Sequence, residues 1–182
     1  MNALKTWGLG LLLASLAACS TTVESTARQA ALDDQAQWAL LPLANNTGTP
    51  QAGLSAEDMI EHQLRRRGIA KLVRYPASLA RDSLFEPTER KVSEEAQKWA
   101  KVQGVRFAVL GSVQEWRYKV GIDGEPAVGV TLQVLDLSDG QVVWSASAAK
   151  SGWSREALSA VAQKLLADML NALPLTLSKA AG

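Results

Sequence analysis

The chain has 182 residues, with 19 basic and 18 acidic side chains, one histidine, one cysteine and a hydrophobic fraction of 47%. That length supports one ordinary domain with its own core. The near-balanced charge gives no reason to expect nucleic acid, which calls for a basic patch or stripe, so no nucleic-acid partner is expected and any electrostatic function must come from local clustering. A lone cysteine excludes an internal disulfide.

Lys5 precedes the apolar run Trp7–Leu16, and "LAAC" follows at Leu16–Cys19. A charged start, a short apolar run and small residues before a cleavage point mark a secretory signal, expected over residues 1–18. The run is too short to span a bilayer, which takes about 20 apolar residues. "LAAC" resembles the lipobox of bacterial lipoproteins, in which the cysteine becomes the acylated first residue, so Cys19 is the expected lipidation site. Ser20, where an aspartate would favour retention, points by the same resemblance to the outer membrane, periplasmic face. Loss of residues 1–18 removes one lysine and no acid, leaving 18 basic and 18 acidic side chains. Residues 19–36 are small and polar without a strong apolar period, and are expected to be a flexible tether.

A single α+β domain is expected over residues 37–182. "WALLPLA" (Trp38–Ala44) reads as a strand, and Pro42 inside it suggests an edge strand or a strand end. After the loop "NNTGTPQAG", Ser55 opens a helix with Met59, Ile60, Gln63 and Leu64 on one face. That helix ends in "RRRG", cations suiting its C-terminal dipole. "KLVRY" (Lys71–Tyr75) is a short strand, and a second helix runs from about Thr88 to Gln103. The period then switches to two: Val105, Phe107, Val109 and Val113 alternate with Arg106, Ala108, Leu110 and Gln114. Val128, Val130, Leu132 and Val134 repeat the alternation, and Ser138-Asp139-Gly140 turns into a third strand to about Ala149. Ser154 caps a last helix with a broad apolar face, Leu158 to Leu173, stopped by Pro174. The order β-α-β-α-β-β-β-α predicts an α+β fold: a mixed sheet with a C-terminal antiparallel meander and helices packed on it. One sheet face is more polar, and is either wet or turned to a neighbouring subunit.

Signatures of catalysis are missing. His62 has Asp58 one helical turn before it but no second imidazole and no HExxH spacing, so it reads as a surface helix residue and no metal is expected. There is no G-x-S-x-G elbow, Walker loop or dinucleotide fingerprint, and hence no expected cofactor. Glu94–Glu95 and Asp33–Asp34 are adjacent carboxylates, read as solvated. Asp123 and Glu125 sit at a hairpin tip, which offers no buried pocket to raise a pKa. The chain is read as a non-enzyme.

Three features remain. The tip Asp123-Gly124-Glu125-Pro126 carries two acids that a turn does not require. Trp153 stands in "SGWSRE", between strand and helix, either as a core residue or exposed near lipid headgroups, where an amphipathic indole is favoured. The third is the aromatic balance: six tryptophans outnumber two tyrosines and two phenylalanines.

"WALLPLANNTGTPQAGLSAED", "GSVQEWRYKVGIDGEPAVGVTLQVLD" and "GQVVWSASAAKSGWSREALSAVAQKLLADML" together resemble the PelC family, outer-membrane lipoproteins of the Pel polysaccharide export system. The fold is also similar to the periplasmic domain of curli export lipoproteins of the CsgG type. The PelC resemblance implies a homo-oligomeric, dodecameric ring beneath the outer-membrane export barrel PelB, with an acidic funnel for a cationic exopolysaccharide. It implies polysaccharide-guiding roles for Asp123 and Glu125 and a membrane-interface role for Trp153. Two other readings share features of the chain. One is a monomeric lipoprotein activator or adaptor of a cell-envelope synthase. The other is a carbohydrate-binding module using Trp116 and Tyr118 as platforms.

Overall fold

A computed structural model of the chain describes residues 22–28, 31–76, 79, 89–121 and 124–176. In chain order the elements are β1 (Thr22–Ala27), β2 (Leu32–Asp33), β3 (Trp38–Asn45), α1 (Ala52–Arg66), β4 (Leu72–Arg74), α2 (Glu89–Val102), β5 (Phe107–Tyr118), β6 (Pro126–Asp136), β7 (Gln141–Ser151), α3 (Leu158–Asn171) and β8 (Leu175–Thr176). One six-stranded sheet has the order β1-β7-β6-β5-β3-β4, and β2 pairs with β8 in a separate parallel ladder. β3 runs parallel to both β4 and β5, whereas β5, β6, β7 and β1 pair antiparallel. This is the expected α+β class, with the meander at β5–β7.

The period-two alternation sends Phe107, Val109, Val113, Val128, Val130, Leu132 and Val134 to one face, where α1 and α3 bury them with Ile60, Leu64, Val161, Leu165 and Met169. Trp38 packs there on Phe107, ring centroids 4.8 Å apart. On the opposite face α2 covers Ala39, Leu41 and Ala108 with Ala96 and Ala100. Beyond α2 that face turns polar, as anticipated. Gln114 Nε2 donates to Ser112 and Thr131, Thr131 pairs with Ser147, and Thr26 with Ser145.

Pro42 does not make β3 an edge strand. β3 lies between β5 and β4, and its register shifts between Leu40 and Leu43, so β3 advances three residues where β5 advances two. The missing N–H falls in this bulge, where the ladder is already interrupted. Glu57 of α1, buried, then accepts the Leu43 N–H at 2.9 Å and holds Arg74 of β4 at 2.9 Å. An interior strand with a proline is thereby satisfied from a helix.

Other boundaries also move. α1 begins at Ala52 rather than Ser55, after Gln51 in a left-handed conformation at φ 60°. α3 begins at Leu158, four residues after Ser154, with no side-chain cap. In the stretch expected to be a tether, residues 22–27 form β1 along β7, and Val23 packs against the core. Asp34, expected to be solvated, is 4% exposed.

Close packing within the meander depends on Gly111. A Cβ at that position would stand 2.0 Å from the Thr131 carbonyl oxygen. No heavy-atom side chain is compatible with that approach.

Candidate functional site

Three chain segments meet at one end of the sheet. The β5–β6 tip is closed by the Lys119 N–H donating to the Glu125 carbonyl at 2.7 Å. The β7–α3 junction lies beside it, because Ser151 pairs with Ala127 and the Gly152 N–H donates to the Pro126 carbonyl at 2.8 Å. β1 starts at the same end, with Thr22 opposite Ala149.

Gly152 is the wedge between the first two segments. A Cβ there would lie 2.5 Å from Val161 Cγ2, 2.6 Å from Glu156 Oε2 and 2.8 Å from Pro126 Cγ. Tyr118 ties the same elements from the strand side: its hydroxyl accepts the Leu158 N–H at 3.0 Å and donates to the Glu156 carbonyl. A long-range hydroxyl thus takes the helix-capping role expected of Ser154. Glu156 accepts the Trp153 N–H at 3.1 Å and Lys164 Nζ at 2.7 Å. The Lys164 ammonium, first, and the Trp153 N–H hold the Glu156 carboxyl below its ordinary pKa, and Glu156 raises that of Lys164.

Trp153 itself is 66% exposed, so it is not a core residue. Val120 at the tip is fully exposed and Tyr118 half-exposed, which places three exposed apolar side chains at this end. Trp153 opens a turn closed by the Glu156 N–H on its carbonyl at 3.0 Å. Arg155 stands third in that turn at φ 67°, a conformation costing a non-glycine residue about 1 kcal/mol or more. Lys150, Arg155 and Lys164 line the cleft beside the indole together with Glu156. The sequence alone singles out Trp153 but not these cations, which converge only once β7 and α3 are placed; the "KSGWSRE" run holds two of them, Lys150 and Arg155.

At the tip, Glu125 Oε2 lies 3.7 Å from Lys119 Nζ, each side chain about 44–45% exposed. The acid is therefore partly matched by a neighbouring cation. Asp123 and Cys19 lie outside the described residues. Trp116, weighed as a sugar platform, is 6% exposed and packed in the core, and the Tyr118 hydroxyl is engaged, so the exposed aromatic surface that a carbohydrate module requires is not assembled there. His62 is exposed on α1. Among the described residues no cluster of three or more His, Cys, Asp or Glu is placed to hold a metal, and no helix is long and apolar enough to cross a membrane.

No family model matches the chain, and no curated protein matches it. Among solved structures it is similar to the PelC dodecamer of Paraburkholderia phytofirmans, in crystals of space group P6, at 40% identity over 87% of this chain and 100% of that one, with a TM-score of 0.73. A single-substitution variant of the same dodecamer in space group C2 matches at 42% identity over 86% of this chain and 99% of that one, again with a TM-score of 0.73. The chain belongs to the PelC family. A lipoprotein of Neisseria meningitidis shares the fold at 17% identity, over 75% of this chain and 96% of that one, with a TM-score of 0.53. None of these relatives is described as an enzyme. In this PelC-family chain, Gly152 and Tyr118 bind the acidic hairpin and the exposed indole into one packed unit.

Proposed function

We propose that this chain is a lipid-anchored subunit of a homo-oligomeric ring, a dodecamer like its Paraburkholderia relative, that guides a cationic exopolysaccharide to an outer-membrane export barrel of the PelB type. Acylated Cys19 holds each subunit to the periplasmic face of the outer membrane, and Trp153 sits at headgroup level. The hairpin tips, bearing Asp123 and Glu125, surround the opening. The role is passage of polymer and not catalysis.

The observation that carries this reading is the convergence of Thr22, Trp153 and the β5–β6 tip on one end of the sheet. Cys19 precedes Thr22 by three residues, at most about 11 Å of chain. An acyl chain entering lipid from there brings the indole and the tips to the membrane together. One exposed carboxylate–ammonium contact contributes only about 0–1 kcal/mol. A ring of such carboxylates focuses the field and concentrates cations, while each contact stays weak enough to release the polymer. Lys119 offsets Glu125, so Asp123 is the principal acid of the mouth.

The test is polysaccharide secretion by cells expressing Asp123→Asn or Asp123→Lys at wild-type level, with ring assembly measured alongside. Secretion should fall for asparagine and further for lysine, with rings intact. Normal secretion by the lysine variant returns Asp123 to the role of a turn residue.

A further inference from the structure

We infer that the cleft beside Trp153 is a binding site for the phosphate of an anionic phospholipid headgroup, recognised by Arg155, Lys150 and Lys164. The cleft has a volume of about 510 Å³ and is open at the surface. Glu156 is its one acidic lining residue, and that carboxylate is taken up by Lys164 at 2.7 Å. Lys150 lies 4.0 Å from Asp168, and its charge also acts on Glu156. Arg155 has no hydrogen-bond or ion-pair partner among the described residues. Its guanidinium therefore brings a full set of donors to the cleft, in the forked geometry that suits a phosphate.

The identity of the ligand follows from where the chain leads. β1 begins opposite Ala149, next to Lys150, and Cys19 is three residues upstream. Acylation at Cys19 puts this end of the sheet, and no other, at the lipid surface. Trp153, Val120 and Tyr118 supply the apolar and amphipathic surface that the headgroup region takes up, and the cations around Trp153 match a leaflet bearing anionic lipid. The cleft lining carries three cations, Lys150, Arg155 and Lys164, against the single acid Glu156, whereas on the hairpin Glu125 is matched by Lys119. The inference rests on the reading that Cys19 is acylated and Trp153 meets lipid, and it adds a headgroup preference to that contact.

The experiment uses the acylated mature protein, partitioned between phosphatidylcholine vesicles and vesicles that also contain phosphatidylglycerol. The acyl anchor contributes equally to both, so the ratio of the two partition coefficients reports the cleft. We expect a preference of about tenfold or more for the anionic vesicles at low salt, shrinking as salt is added. Arg155→Gly, which suits the left-handed backbone and so leaves folding intact, should cut that ratio about fivefold. Lys150→Gln should act in the same direction. Trp153→Ala should weaken partition into both vesicle types and leave the ratio unchanged. A wild-type ratio near one, or a ratio that Arg155→Gly does not alter, overturns the headgroup site while leaving the membrane contact standing. If Trp153→Ala alters partition into neither vesicle type, the membrane contact falls, and the headgroup site with it.

Discussion

Replacing Gly152 by alanine tests whether the tip and the Trp153 junction form one packed unit. The added methyl would meet Val161 Cγ2 at 2.5 Å, Glu156 Oε2 at 2.6 Å and Pro126 Cγ at 2.8 Å, against carbon contacts that are optimal at about 3.5–4.0 Å. Each neighbour must withdraw by about 1 Å. Val161 is β-branched and buried on α3, and Pro126 is a ring fixed in β6, so neither yields cheaply. Glu156 can swing away, but only by giving up the Trp153 N–H and its place beside Lys164. Overpacking of this kind costs about 1–3 kcal/mol. For a domain of this size a mid-range loss of about 2 kcal/mol lowers Tm by about 4–8 °C. Thermal unfolding of Gly152→Ala beside Gly48→Ala and Gly111→Ala supplies an internal scale. Nothing lies within 4 Å of a Cβ at Gly48, so that variant should stay within about 0.5 kcal/mol of wild type. Gly111→Ala meets a backbone carbonyl oxygen at 2.0 Å and should be the worst of the three. A Gly152→Ala protein as stable as Gly48→Ala would refute the wedge, and with it the mechanical link between hairpin and indole.

Glu57→Ala should cost about 2–4 kcal/mol in denaturant unfolding, because the Leu43 N–H is orphaned in the bulge and Arg74 loses its buried partner. Glu57→Gln, which can still accept the N–H, should lose less; equal losses would remove the amide from the explanation. Asp136 gives a pH signature. Burial alone would raise its pKa, but the Ser138 hydroxyl and amide, with Arg106, outweigh it and hold the carboxyl below its ordinary value. A depressed folded pKa stabilises the protein above the unfolded value and ceases to do so as pH falls through the folded one. Asp136→Asn should therefore flatten the acid limb of the stability–pH curve, and an unchanged limb would contradict the assignment.

Much of the fold is written in local pattern. The alternation of β5–β7 and the broad apolar face of α3 each name their partners through periodicity, and both appear where expected. Errors arose where a residue's local meaning was overruled from a distance. Pro42 reads as an edge signal because a proline lacks a ladder donor, but Glu57, fourteen residues beyond Leu43, accepts the Leu43 N–H and makes an interior bulge tenable. Ser154 reads as a cap, yet the Tyr118 hydroxyl reaches the helix from 40 residues away. "TVESTA" carries strand-forming valine and threonine, but its polar residues resemble a tether until β7 is there to pair with. The tip and Trp153 were legible as residues that local turn chemistry did not need. Their adjacency was not, because it depends on the register of β6 against β7 and on the absence of a side chain at Gly152.

β1 has a further consequence, for how the protein is handled during biogenesis. β7 would otherwise expose its unpaired amides and carbonyls as a template for another chain, a standing hazard for an open sheet. β1 supplies that pairing over residues 22–27, so this N-terminal segment acts as a guard on the sheet's open margin. At the opposite margin β4 is only three residues long and leaves little to copy. A recombinant form trimmed back to Trp38 would keep nearly all of the core but lose the guard. It should be prone to strand exchange and aggregation that a chain retaining β1 avoids, so solubility in this fold depends on a piece of sequence that composition alone would discard.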